Sequence, residues 1–242
     1  MKHTLLSAIA ALALGTAAQG ATIQTFGTSS IYGTGFYGST AAQTFALGAY
    51  SAGSAVVLSD VLGAVDCCVA DSYFVGADGG DFDLMPEPHV PWGGNTDVNG
   101  ANGLSGISVE TSQLFLAGAF IDSATYSTTG IPAPDSLYGA GDLGLASYTP
   151  MLNQVFFLGD GLTGTGTGAQ QLFYIPEWAD TLLIGFVDAP RFEGNPYYYA
   201  DNSGSITATF DVIAPAVPLP AGLPLLLSAF GLAGFVARRR KS

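Results

Sequence analysis

From Ser205 to Val212 the chain alternates strictly. Ile206, Ala208, Phe210 and Val212 fall on one face, and Ser205, Thr207, Thr209 and Asp211 on the other. A two-residue period buries one face of a strand and wets the other, whereas the apolar stripe of a helix recurs about every 3.6 residues. Seven further runs of strand character come earlier, at residues 41–47, 55–62, 106–109, 113–120, 154–158, 171–175 and 181–187. Segments rich in Gly and Pro separate them, and no long stretch between the termini repeats at helical spacing. The pattern predicts an all-β body, an antiparallel β-sandwich. Residues 21–40, rich in Gly, Ser and Thr, read as a first strand with loose turns or as a mobile arm, with the strand preferred.

Charge divides the chain as sharply as periodicity does. All nineteen Asp and Glu lie between residues 21 and 213, where Arg191 is the single cation; Lys2, Arg238, Arg239, Arg240 and Lys241 sit at the two apolar ends. Such a body repels nucleic acid and anionic lipid, since nothing neutralises phosphates, and it attracts divalent cations. Residues 1–20, MKHTLLSAIAALALGTAAQG, combine a basic start, a short apolar run and small residues at Ala18 and Gly20. That order is a signal peptide rather than a buried helix, with the mature chain beginning near Ala21. Residues 218–237 carry no charge and precede RRRK. A helix of that length spans about 30 Å, the thickness of a bilayer core, and the basic tail keeps its end cytoplasmic. The expected organisation is therefore a signal peptide (1–20), a β-sandwich domain (21–213), and a Pro-rich spacer with transmembrane helix and basic tail (214–242).

Val217, Pro218, Leu219, Pro220 and Ala221, the apolar run behind them and the cluster Arg238, Arg239 and Arg240 resemble the VPLPA form of the PEP-CTERM sorting signals of Gram-negative bacteria. The resemblance implies transient anchoring in the inner membrane, recognition by an exosortase-type sorting protease, and delivery to the cell surface or extracellular matrix. The wider form of the signal has Glu where this chain has Leu219, which favours the VPLPA variant.

Asp188 to Ser205, DAPRFEGNPYYYADNSGS, joins two expected strands. If those strands pair, Asp188, Asp201 and Asn202 meet although they are far apart in sequence. Their hard oxygens suit Ca²⁺, which takes six to eight oxygen ligands in flexible geometry, and glycines at 194 and 204 permit sharp turns. An ordinary Asx-capped turn explains the same residues equally well. The segment from LLIGFVDAP to GNPYYYADNSGSITATF is similar to the C-terminal half of the calcium-dependent, galactose-binding lectins of the bacterial PA-IL type. That resemblance implies a galactose-binding-like, jelly-roll type of sandwich and places Asp188, Asp201 and Asn202 among the Ca²⁺ ligands. It also implies a contribution from an earlier loop, for which residues 76–80 and 87–89 are the nearest candidates, with His89 as a ligand-binding residue. Tyr197, Tyr198 and Tyr199 either form a platform for the C–H face of a sugar or pack beneath the loop. Trp178 reads as the start of a strand and a cap on the sandwich.

Three further features are weaker. Cys67 and Cys68 are the only thiols, and they form a vicinal disulfide, two buried thiols, or an intermolecular or metal link. Adjacent cysteines close almost no loop, so they cannot staple distant strands. Asp78, Asp81 and Asp83 read as a solvated turn, and residues 159–170, GDGLTGTGTGAQ, as a long flexible loop without phosphate-binding context. No nucleophile–base arrangement stands out, so no catalytic residue is assigned. The expectation is a non-enzymatic surface or matrix protein binding calcium and, through the 188–205 loop, extracellular polysaccharide. A structural surface or biofilm component with structural calcium only is the alternative, and a glycan hydrolase a distant third.

Overall fold

The computed structural model describes residues 20–68, 73–82 and 93–215, and strands dominate it. One sheet has five strands in the order β1 (Ala21–Phe26), β15 (Ser203–Ile213), β3 (Ala55–Asp66), β12 (Leu172–Tyr174) and β8 (Ser147–Tyr148). A second has the order β2 (Gln43–Ala46), β13 (Thr181–Phe186), β6 (Leu116–Ile121) and β9 (Val155–Phe157). A third has β14 (Glu193–Gly194), β4 (Thr96–Val98), β5 (Ile107–Val109) and β7 (Ser136–Tyr138), and β10 (Leu162–Gly164) pairs with β11 (Thr167–Gln170). The class is all-β, as the alternation predicts, and all eight expected strands are present. Residues 21–40 open with the preferred strand and continue in turns, since β1 pairs along β15 from Ala21 opposite Phe210 to Phe26 opposite Ser205.

Two expectations change. Residues 159–170 are not a long flexible loop: they contain the β10–β11 hairpin, and Asp160 accepts the N–H groups of Leu162 and Gly166 at its base. Pairing is also not purely antiparallel, because β8–β12, β5–β7 and β4–β14 run parallel.

The second sheet is covered on both faces, and strand periodicity sorts its side chains between two cores. Leu182, Ile184 and Phe186 of β13, with Leu116 and Phe120 of β6, join Val56, Leu58, Ile206, Ala208 and Phe210 of the five-stranded sheet. Ring contacts close this interface, Phe45 on Phe210 at 5.8 Å and Phe156 on Phe173 at 5.6 Å. Leu183, Ala117, Ala119, Ile121, Val155 and Phe157 turn the other way, onto Val98, Ile107, Val109, Ile31 and Tyr32. A strand buried on both faces needs apolar residues at every position, which is why β6 and β13 read as continuous runs while β15 alternates.

One short segment ties two of the sheets together. Leaving β1, the chain crosses from the five-stranded sheet to the second sheet. The Gly27 N–H donates to the Gly204 carbonyl at 3.1 Å, while Phe186 N–H donates to Ser29 and Ile31 N–H to Phe186, at 2.7 and 3.0 Å. The approach is close enough that a Cβ on Gly185 would lie 2.5 Å from the Ile31 nitrogen. The residues between β13 and β15 make the same crossing beside it.

Residues 1–19 of the expected signal peptide, the expected sorting motif at 217–221, the expected membrane helix and His89 lie outside the described residues. Among the described residues no helix is long and apolar enough to cross a membrane.

Candidate functional site

The premise that β13 and β15 pair is not met: they belong to different sheets. Asp188 and Asn202 nevertheless come together, because the loop between them spans the two sheets and is held from below by a buried tyrosine. Tyr199 is fully buried; its hydroxyl accepts the Asp188 N–H at 3.2 Å and donates to the Phe186 carbonyl at 3.3 Å. The Tyr197 N–H donates to the Asp188 carbonyl at 3.0 Å, and the Asn202 N–H to the Tyr199 carbonyl at 3.3 Å. The Asn202 side chain donates through Nδ2 to the Gly27 carbonyl at 3.1 Å. Asp188 thus follows a core strand, Asn202 precedes one, and the loop is tied to both.

Burial sets the electrostatics. Asp188 is 3 % exposed and Asn202 7 % exposed, and Asp188 Oδ2 and Asn202 Oδ1 are buried acceptors with no hydrogen-bond donor. Desolvation pushes the Asp188 carboxyl well above the usual carboxylate range. A hydrogen bond with Asn202 pulls it back, the charge of Asp201 pushes it further up, and the Ala189 backbone lowers it. Asp201, exposed at the mouth of the loop, is also raised, by partial desolvation first. Buried acceptors without donors are costly, and nearby carboxylates repel one another. A hard cation relieves both penalties, and two carboxylates with an amide oxygen are the donor types calcium takes. The residues therefore fit the ion that the resemblance implies. Among the described residues no three His, Cys, Asp or Glu side chains converge as a metal-binding group.

Asp188 and Asp201 open on a cavity of about 330 Å³, lined also by Cys68, Ala189, Pro190, Arg191, Phe192 and Tyr198. Cys68 is bonded to Cys67, which settles the open reading of that pair as a vicinal disulfide. It is also the residue that sequence reasoning missed. Cys68, just beyond β3, lines this cavity, whereas Asp78, Gly79 and Gly80 of the expected 76–80 segment line a different one; residues 87–89 lie outside the described residues. The signal was present as two adjacent cysteines directly after a long strand.

The three tyrosines divide. Tyr199 is a buried post with no ring face for a ligand, which corrects its place in the expected sugar platform. Tyr197 and Tyr198 are 44 % and 45 % exposed and meet edge to face at 5.0 Å. Tyr37, from the loop after the sheet crossing, stacks on Tyr197 at 5.8 Å and meets Tyr198 edge-on at 6.4 Å. Trp178 is 72 % exposed in the turn before β13, so it neither starts a strand nor caps the core.

The second acidic segment is not a solvated turn at Asp78. Burial raises this carboxyl; the Asp160 N–H lowers it, the Asp160 charge raises it and the Thr165 hydroxyl lowers it. Its Oδ1 accepts the Asp160 N–H at 2.7 Å, fastening the β10–β11 hairpin beside a cavity of about 220 Å³.

No family model matches the chain, and neither a curated protein nor a solved structure matches it.

Proposed function

We propose that this chain is an exported protein of the cell surface or extracellular matrix of a Gram-negative bacterium, binding calcium and carbohydrate through the 188–205 loop. The observation that carries the reading is the meeting of Asp188 and Asn202 across two sheets, each with a buried oxygen that no protein donor satisfies. Asp188, Asp201 and Asn202 would hold the ion. Bound calcium supplies open coordination positions for vicinal hydroxyls. Tyr197 and Tyr198, with Tyr37 against them, offer exposed rings beside the cavity for the C–H face of a sugar.

The fold that goes with this reading is a galactose-binding-like, jelly-roll sandwich, supported by the core shared between the five-stranded and second sheets. The terminal segments supply the route: signal peptide, transient inner-membrane helix, and release by an exosortase-type protease. Nucleic acid is not a partner of so acidic a body, and no catalytic step is assigned.

Calorimetry with calcium, followed by a glycan array with and without chelator, tests the reading. Glycan binding lost both with chelator and in Asp188→Ala supports it. Calcium-dependent melting without glycan binding makes the protein a structural surface or biofilm component. Glycan cleavage that survives chelator makes it a hydrolase, and absence of calcium binding overturns the assignment.

A further inference from the structure

We propose that the Cys67–Cys68 disulfide is a saccharide-contacting wall of the cavity beside Asp188 and Asp201, a role that rests on the calcium and carbohydrate reading of the 188–205 loop. A bond between neighbours constrains almost no chain entropy in the unfolded state, so its consequence is local. Its place is specific: Cys67 is fully buried after β3, and Cys68 lines the cavity.

The backbone around the cavity gives a second, independent observation. Cys68 has φ 74°, in the left-handed region that non-glycine residues seldom adopt. Arg191, Phe192 and Tyr198 have φ values of 59°, 59° and 64°, and all three line the same cavity. Such conformations are costly and persist where the surroundings over-determine them, most often at active and ligand sites. Four of the nine described non-glycine residues with positive φ gather at this one cavity.

The chemistry follows from the ring that the disulfide closes through the 67–68 peptide. It removes the side-chain rotation of both residues and leaves a fixed, uncharged, polarisable surface of sulfur. A saccharide presents hydroxyl edges and an apolar C–H face. Asp188 and Asp201 serve the first; the disulfide, with the exposed Pro190 and the half-exposed ring of Tyr198 in the same lining, serves the second. Arg191 and a bound calcium would offset the two carboxylates of the cavity itself, but the surrounding body carries nineteen carboxylates against that single cation and disfavours an acidic sugar, so the ligand class is a neutral saccharide with vicinal hydroxyls.

The test compares the oxidised protein, the same protein reduced by dithiothreitol, and Cys67→Ala/Cys68→Ala. Reduction transfers two electrons and two protons to the sulfurs and leaves dithiothreitol as its cyclic disulfide. Calcium affinity is read by calorimetry, saccharide affinity at saturating calcium with the best hit of a neutral-glycan array, and folding by circular dichroism. The expected result is a loss of saccharide affinity of about tenfold or more in both altered forms, with calcium affinity changed by less than about threefold, and recovery of the wild type on reoxidation. Reduced wild-type protein remains the comparison if the double variant does not fold. Saccharide affinity indifferent to reduction, or calcium binding with no glycan bound, overturns the role of the disulfide alone. Oxidised protein that binds no calcium overturns the parent reading, and this role with it.

Discussion

Asn202 Nδ2 donates to the carbonyl oxygen of Gly27 at 3.1 Å, joining residues 175 positions apart where the chain passes between two sheets. This bond commits one N–H of the amide to the fold, while Oδ1 is a buried acceptor without a donor. It also explains the glycine. A Cβ at residue 27 would lie 2.7 Å from the Ser203 carbonyl oxygen and 3.3 Å from the Asn202 Cβ, so any side chain there pushes the crossing segment off β15.

Gly27→Ala and Asn202→Ala are therefore expected to destabilise the metal-free protein, each by about 1–3 kcal/mol, the first through overpacking against backbone and the second through an orphaned carbonyl. Urea unfolding at constant m-value measures both. Asn202→Ala also lowers calcium affinity. An Asn202→Ala protein as stable as wild type would mean that the Gly27 carbonyl finds another donor.

Asp188→Asn separates the cost of the buried charge from its use. The substitution keeps the shape and removes a carboxylate that burial already disfavours. In chelator its thermal midpoint is expected to equal or exceed that of wild type, whereas with calcium it loses the metal-dependent rise. Differential scanning fluorimetry across a calcium series reads both. A variant that melts lower than wild type in chelator and still responds fully to calcium removes Asp188 from the ligand set.

How much of this was legible in the sequence depends on where each signal lies. β15 faces a core on one side only, so its alternation announces it; β6 and β13 face two cores, so they appear as apolar runs whose orientation no period reveals. The coming together of Asp188 and Asn202 was legible, but its cause was not. Sheet membership depends on the non-local pairing of residues 27–31 with Gly204 and Phe186, which leaves no local pattern. The same holds for Tyr37 and Cys68, which reach the site from loops distant in sequence. In the tyrosine triplet, burial is decided by the left-handed backbone at Tyr198, which turns Tyr199 inward while its two predecessors stay at the surface.

Tyrosine substitutions should therefore separate. Tyr199→Phe deletes a hydroxyl that serves Asp188 and Phe186 inside the protein, and a cost of about 1–3 kcal/mol is expected with weaker calcium binding. Tyr197→Ala, at an exposed position, is expected to leave stability within about 0.5 kcal/mol and calcium affinity unchanged while weakening glycan binding. Chemical denaturation and calorimetry distinguish the two. Equal stability losses in both variants would show that the exposed rings, too, are structural.

Acidification should bring the melting midpoints of the metal-free and calcium-bound proteins together. Desolvation is the first cause raising Asp78, Asp188 and Asp201 above the carboxylate reference of 3.8. For a carboxyl whose folded pKa exceeds its unfolded value, the folded state binds more protons in between, so stability falls as pH rises through that window and grows as pH falls. Asp180 acts the other way: Ser123, through its hydroxyl and then its N–H, holds it below 3.8, so its contribution is present above that value and lost on further acidification. In chelator the melting midpoint is thus expected to rise as pH falls from about 7 toward about 4, and to decline below. With calcium present, protons compete for the carboxylates of Asp188 and Asp201, so the metal-dependent increment shrinks over the same range and the two curves converge. Paired melting series across this range decide the matter. A midpoint in chelator that drops steadily with acidification would show that the raised carboxyls do not govern the fold's response, and an increment constant with pH would place calcium away from Asp188.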